Sequence, residues 1–319
     1  VQILKFGGSS LADAIAIRHV AKLIGECARD TETVVVCSAC AGVTNRLVRI
    51  TELVRAGQSI RALNQSWKLR LKHRALYAAL GPENSNPEAG ARMDADSQIW
   101  TQLEDLGASL RALIAGASPE QADQAWTAAV LSYGERASVR LVAHALQHAG
   151  VRAQAADATN FLITDNEFQN ATPLWNETRQ RTREVLFPMI DAEIVPVVTG
   201  FIGATPSGKI TTLGRNSSDF TAAIVASALD ADEVSLWTDV DGIYDRDPRA
   251  AKQSPEEFVL LENLTYDEAL HLAERGAKVL HPGTIYPLRE KNIVLRIRNT
   301  FHPEHSGTRI GPAAQAVAR

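Results

Sequence analysis

Residues 199–249 read TGFIGATPSGKITTLGRNSSDFTAAIVASALDADEVSLWTDVDGIYDRDPR, and this stretch decides the fold. Its first part, 200–213, is glycine-rich and β-branched, with Pro206-Ser207-Gly208 as the turn of a hairpin. A helix is predicted over 217–229, with Ser217 and Ser218 as cap candidates and Asp219 in the first turn, where the helix dipole favours an acid. The apolar run 233–238 is a strand. Thr238, Asp239, Tyr244, Asp247 and Arg249 follow it at once. Polar groups gathered past the C-terminal end of a strand, beside a helix N-terminus, suit a nucleotide phosphate.

One motif in the stretch misleads. Gly203 to Lys209 matches GxxxxGK, but the next residue is Ile210, where a phosphate-binding loop needs a Ser or Thr for Mg²⁺. That loop also opens a helix, whereas residues 209–213 are β-branched and apolar. The reading is therefore a hairpin across the mouth of a site.

Working outward, residues 2–6 form a short apolar strand stopped by Gly7-Gly8. Ser9 and Ser10 are cap candidates for the next helix, with Asp13 near its first turn and Ile15, Ile17, Val20, Ala21, Leu23 and Ile24 as its buried face. TVVVC at 33–37 is a continuous apolar run, as a strand buried on both faces requires. A polar turn, 38–45, leads to a helix over 46–55. The start β-α-β-α argues for a parallel sheet. Residues 59–131 carry a helical pattern, broken near Gly81-Pro82, Pro87 and Gly116 to Pro119, and read as an insertion or lid, its basic run at 68–74 a solvated face. Further strands are expected at 151–155, 194–199 and 293–297, and further helices at 132–150, 174–189, 266–275 and 284–291. Residues 157–173 are polar and irregular. The tail beyond Gly307 is expected to lack order. The expected fold is α/β: a three-layer αβα sandwich with a mainly parallel central sheet.

Composition sets outer limits. The chain has 319 residues, 45% of them apolar, and a formal net charge of −4. Bulk charge therefore gives no pull toward nucleic acid or a membrane surface. No apolar run reaches the roughly 20 residues of a transmembrane helix, and the N-terminus lacks a signal-peptide shape; the expected location is the cytoplasm. Three cysteines, Cys27, Cys37 and Cys40, make no disulfide framework. Cys37 and Cys40 form a CxxC, but without a second pair its structural reading outweighs redox or metal chemistry.

Several residues invite chemistry. A lysine at the end of a buried strand, Lys5, is costly without an anion, and Gly7-Gly8 allow close backbone approach; an edge-strand lysine with an ordinary turn is an equally good reading. Ser38, Gly42, Thr44 and Asn45 repeat the strand–turn–helix pattern, where plain capping is the stronger reading. Glu135 and Arg136 open a helix. Arg215 beside small hydroxyl residues suits a carboxylate. Lys278 lies in an apolar context, and His281 before Pro282 reads as a turn residue.

Taken together, KFGGSS, VVVCSACAGVTN, GERAS, TTLGRNSSDFTAA, WTDVDGIYDRDPR and GAKVLHP, in this order over residues 1–310, resemble the catalytic domain of the aspartate kinases within the amino acid kinase family. The resemblance implies the carbamate kinase-like fold and ATP- and Mg²⁺-dependent phosphorylation of the side-chain carboxylate of L-aspartate. It implies that Lys5 contacts the transferring phosphate and that Gly7, Gly8, Ser9 and Ser38 line the phosphates. Thr44, Glu135, Arg215 and Ser218 are implied to hold aspartate, and Asp219 to orient the lysine. Thr238, Asp239, Tyr244, Arg249, Lys278 and Val279 are implied to surround the nucleotide. Mg²⁺ is expected on ATP, without direct protein ligands.

The implied division is an aspartate-binding lobe over about 1–198, carrying the insertion 59–131, a nucleotide-binding lobe over about 199–310, and a tail at 311–319. ACT-type regulatory domains, usual in these kinases, are not expected, and neither is inhibition by lysine or threonine. The chain is then a shortened kinase, part of a larger polypeptide such as a fusion to homoserine dehydrogenase, or a naturally unregulated enzyme. Asn216-Ser217 stands where the family usually has Gly-Gly. Partners are expected to be small molecules only, with a homodimer left open. Two rivals remain: a kinase of the same fold for another acid, such as acetylglutamate, and a non-catalytic nucleotide- or anion-binding protein of the fold.

Overall fold

The computed structural model describes residues 1–81, 93–214, 217–245, 258–274 and 281–312, with backbone alone for 93–97. The chain runs β1 (Gln2–Phe6), α1 (Ala14–Cys27), β2 (Thr33–Cys37), α2 (Val43–Arg55), α3 (Ser59–Leu80), α4 (Met93–Ala115), α5 (Gln124–Leu131), α6 (Tyr133–His148) and β3 (Ala153–Ala156). It continues α7 (Trp175–Asp191), β4 (Val195–Thr199), β5 (Ile202–Ala204), β6 (Ile210–Thr212), α8 (Ser218–Leu229), β7 (Glu233–Thr238), β8 (Asn263–Thr265), α9 (Tyr266–Glu274), α10 (Pro282–Lys291), β9 (Val294–Asn299) and β10 (Thr308–Gly311).

Eight of these strands form one sheet in the order β3-β4-β2-β1-β7-β9-β10-β8. From β3 to β9 every pairing is parallel. β10 turns antiparallel to β9, and β8 pairs parallel with β10. Side-chain alternation builds the two outer layers. Leu4 and Phe6 of β1, with Val35 and Cys37 of β2, pack on Ile17, Val20 and Ile24 of α1 and Val139 and Leu146 of α6. Ile3, Val34 and Val36 point the other way, onto Ile224 and Val225 of α8 and Ile285 and Leu288 of α10. The result is the expected αβα sandwich. Helices α3 and α4 extend the first layer through Leu69, Leu76, Leu103 and Leu110. The described residues of 59–131 contain no strand.

Parallel pairing has one consequence for function. The C-terminal ends of β4, β2, β1, β7 and β9 lie along a single edge, so Gly200, Ser38, Gly7, Asp239 and Thr300 follow one another across it. The β5–β6 hairpin does stand where a phosphate loop was rejected, with Gly208 at φ 82° in its turn.

Several local expectations need correction. Asp13, not Ser9 or Ser10, caps α1, accepting from the Ala16 N–H; the serines lie in a 3₁₀ turn before it. Ile15 is 82% exposed rather than part of the buried face, because its neighbours Ala16 and Ile17 take that side. α2 starts at Val43, so Thr44 and Asn45 are helical. Neither serine caps α8 through its side chain; the Ser217 hydroxyl instead donates back to the Gly214 carbonyl. Residues 308–311 are a strand, not a disordered tail: Ile310 is fully buried, and the Thr308 hydroxyl accepts from the Ile243 N–H. Residues 313–319 lie outside the described set.

Candidate active site

Lys5 leaves β1 on the same side as Ile3, which is the α8 side. Its ammonium reaches the first turn of α8, with Nζ 2.6 Å from Asp219 Oδ1; the two side chains are only 13% and 21% exposed. The contact is a charge pairing; Asp219 Oδ1 has no aligned hydrogen-bond partner among the described residues. The lysine arches back over its own turn. A Cβ added to Gly7 would sit 3.6 Å from Nζ.

Three turns are laced together behind this pair. Ser38 N–H donates to the Phe6 carbonyl, and Gly200 N–H donates to the Cys37 carbonyl. A Cβ on Gly8 would stand 3.0 Å from the Ala39 carbonyl oxygen, and one on Gly200 would stand 2.6 Å from Ser218 Cβ. Glycine is therefore required for the β1 and β4 turns to approach their neighbours this closely. The approach brings Ser218 and Asp219 beside Ser38 and Lys5.

On the other flank, α6 presses its N-terminus onto the turn after β2. Glu135 is 3% exposed. Its Oε1 accepts from the Ala39 N–H at 3.2 Å, while its buried Oε2 has no partner among the described residues. Burial pushes the carboxyl up to about 8, against the hydrogen bond from Ala39, which lowers it. A buried acid with one oxygen unmatched is a ready acceptor for a cationic or N–H donor group. Thr44, half-buried, follows in the first turn of α2. Arg136, the neighbour of Glu135, turns away and pairs with Asp157, which Arg140 also contacts.

The strand beside β1 contributes a second group of polar side chains. At the end of β7 the Thr238 hydroxyl donates to Asp239 Oδ1. Asp241 accepts from Asn299 Nδ2 at 2.7 Å and from the Tyr244 hydroxyl at 3.3 Å. The Thr300 N–H donates to the Thr238 carbonyl, tying β9 to this end.

Of the residues expected here, Lys5, Gly7, Gly8, Ser38, Ser218, Asp219 and Glu135 converge around the turns after β1, β2 and β4. Thr238, Asp239 and Tyr244 gather one strand away. Ser9 is exposed on the β1 turn. Arg215, Arg249, Lys278 and Val279 lie outside the described residues, as does Asn216. The sequence reading missed Lys72. Its ammonium donates to the Ala41 carbonyl at 2.6 Å, so the basic run at 68–74 is not a purely solvated face. Arg70 pairs with Glu104, and His73 is buried, its imidazole pushed down to about 4 by desolvation. The spacing carried a signal: Lys72 is three residues after Leu69 and four before Leu76, beside the buried stripe. Cys37 and Cys40 are buried free thiols, and burial raises both, Cys40 to about 11. That is the inert, structural behaviour expected of them. His281 likewise caps α10, accepting from the Gly283 N–H.

A lysine–aspartate pair at the C-terminal edge of a parallel sheet, flanked by glycine turns and helix N-termini, marks an α/β protein whose edge can accept an anion. The sequence profile of the amino acid kinase family matches residues 1–299, and the chain belongs to that family. It is 32% identical over 308 residues to lysine-sensitive aspartokinase 3 of Escherichia coli, covering 97% of this chain and 63% of that protein. It is 33% identical to aspartokinase 1, chloroplastic, of Arabidopsis thaliana, covering 96% of this chain and 51% of the relative. The crystal structure of E. coli aspartokinase III in complex with aspartate and ADP superposes with a TM-score of 0.82 at 30% identity, over 99% of this chain and 65% of that one. Uridylate kinase from Archaeoglobus fulgidus, at 16% identity and a TM-score of 0.53, shares the fold. The chain thus spans less than two thirds of the length of these aspartokinases. No described helix is long and apolar enough to cross a membrane.

Proposed function

We propose that this chain transfers the γ-phosphoryl group of ATP to the side-chain carboxylate of L-aspartate, giving 4-phospho-L-aspartate, the first step toward lysine, threonine and methionine. The observation that carries the reading is the convergence of the Lys5–Asp219 pair with the buried, half-unmatched Glu135 across the Ser38–Ala41 turn. A carboxylate acceptor already has a nucleophilic oxygen and needs no strong base. The difficulty is to bring two anions together and to spread charge on the group in flight, which positioned cations and N–H groups accomplish.

In this reading Lys5 meets the transferring phosphate, with Asp219 fixing its ammonium. Gly7, Gly8, Ser9 and Ser38 offer backbone N–H and hydroxyl donors to the phosphates. Glu135 takes the aspartate ammonium on Oε2; Thr44, Ser218 and Arg215 take its carboxylates. Thr238, Asp239, Tyr244, Arg249, Lys278 and Val279 surround the nucleotide. The acid is held by a lobe over about 1–198 and the nucleotide by one over about 199–310, with Arg215, Ser218 and Asp219 at the seam. Among the described carboxylates of this edge, Asp219, Asp239 and Asp241 each already face Lys5, Thr238 or Asn299. That donor set fits a Mg²⁺ that rides on the ATP phosphates and waters, where it neutralises phosphate charge.

The test is hydroxamate formation from MgATP in the presence of hydroxylamine, with aspartate, N-acetylglutamate or no acid. Aspartate-dependent hydroxamate is expected. Product from acetylglutamate alone moves the assignment to that acid, and ATP binding without product from either moves it to the non-catalytic rival.

A further inference from the structure

Between β9 and β10 the chain reads Phe301-His302-Pro303-Glu304-His305-Ser306-Gly307, a segment the proposed phosphoryl transfer does not use. Ligand atoms of His302, Glu304 and His305 all lie within 4.8 Å of one another. His302 Nδ1 is 3.4 Å from Glu304 Oε1, and His305 Nε2 is 3.8 Å from the same oxygen. Two ligands each about 2.0–2.1 Å from a tetrahedral ion stand somewhat over 3 Å apart, so small side-chain rotations would close the three around one cation. All three side chains are exposed, which gives an ion a direct approach.

The loop is braced in this shape by bonds that do not involve the three side chains. The His305 N–H donates to the His302 carbonyl, and Arg298 Nη2 donates to the Pro303 carbonyl at 3.0 Å. The Phe301 N–H donates to Asn299 Oδ1, and the Phe301 ring stacks on His19. At the far end Gly307 takes φ 71°, where a Cβ would lie 2.0 Å from the Ile297 carbonyl oxygen. A turn held at both ends loses little freedom when its side chains close on an ion.

We propose that the His302–Glu304–His305 loop binds a borderline transition-metal dication such as Zn²⁺. Two imidazoles and one carboxylate select Zn²⁺, Ni²⁺ or Cu²⁺ over the hard cations Mg²⁺ and Ca²⁺, which prefer oxygen. Three protein ligands leave at least one position for water or an outside donor. The site begins two residues beyond Thr300, whose N–H donates to the Thr238 carbonyl, so a bound ion stiffens the loop that adjoins the end of β7.

The test is titration of the full chain with Zn²⁺ against a chromogenic chelator, alongside H302A/H305A and E304Q. The wild type is expected to take up one equivalent that the double variant loses by at least about tenfold in affinity, with E304Q between them. Co²⁺ in place of Zn²⁺ is expected to give a visible absorption band that the double variant lacks, and millimolar Mg²⁺ is expected not to compete. Equal Zn²⁺ uptake by wild type and double variant, with both folded by circular dichroism, overturns the site. The result does not depend on phosphoryl transfer, so failure of one leaves the other standing.

Discussion

The Lys5 ammonium and the Asp219 carboxylate stand 2.6 Å apart although 214 positions separate them in the chain, β1 supplying one and the first turn of α8 the other. Their meeting follows from sheet order. β1 is central, its Ile3 side faces α8, and Lys5 is two residues further along that side.

This pairing predicts a split in kinetics. Lys5→Ala should lower kcat by on the order of 10²-fold or more, as loss of a preorganised charge at the reacting group does, and change ATP affinity far less. Steady-state kinetics with separate measurement of nucleotide binding checks this, and an unchanged kcat sinks the assignment of Lys5.

Glu135 predicts a pH signature. Its native value of about 8 stands above the ordinary 4.5 because burial disfavours the charged form. Between those values the native state holds a proton that the unfolded chain has released. Stability should therefore fall as pH rises from about 4.5 to about 8, by a few kcal/mol at order of magnitude. Glu135→Gln keeps the acceptor for the Ala39 N–H and removes the titration. The variant should be more stable than wild type at pH 8.5, equal near pH 4.5, and weakened toward aspartate. Denaturant midpoints across that range decide it; parallel curves for the two proteins exclude the effect.

Much of this arrangement was legible in the chain, and the gaps have physical causes. β1, β2, β4 and β7 are apolar runs buried on both faces, so their sequences leave little choice. β8 (Asn-Leu-Thr) and β10 (Thr-Arg-Ile-Gly) are three and four residues long with one large apolar side chain each; contacts made elsewhere, such as Thr308 with Ile243, hold β10 in the sheet. Asp219 and Glu135 both stand at helix starts, where position alone suits a helix-stabilising or surface acid equally well; the resemblance to the kinase family is what singled them out. Lys72 was missed because a run of charges hides which of its members turn inward.

Lys72 now predicts a specificity effect. Its bond to the Ala41 carbonyl joins α3 to the same turn whose Ala39 N–H holds Glu135. Lys72→Met keeps most of the stem and removes charge and donor. The expected result is a raised KM for the acid substrate with the KM for ATP and the melting temperature little changed. A uniform loss in both KM values, or in stability alone, would mark Lys72 as packing rather than a positioning residue.

Gly200 tests whether the turn lacing sets the position of α8. An added Cβ would lie 2.6 Å from Ser218 Cβ, 2.7 Å from Ser218 Oγ and 3.1 Å from the Cys37 carbonyl oxygen. The hydroxyl can rotate away, but Ser218 Cβ is fixed to the helix, so α8 or the β4 turn must shift. Gly200→Ala should cost ~1–3 kcal/mol, the usual range for overpacking, and should also slow turnover, because Asp219 is the next residue on α8 and moves with it. Ser218→Gly removes the opposing atom at roughly 0.5 kcal/mol of helix propensity. The double variant should therefore be more stable than the sum of the two single losses predicts. Simple additivity in chemical denaturation would show that the clash is absorbed elsewhere and that α8 does not depend on this contact.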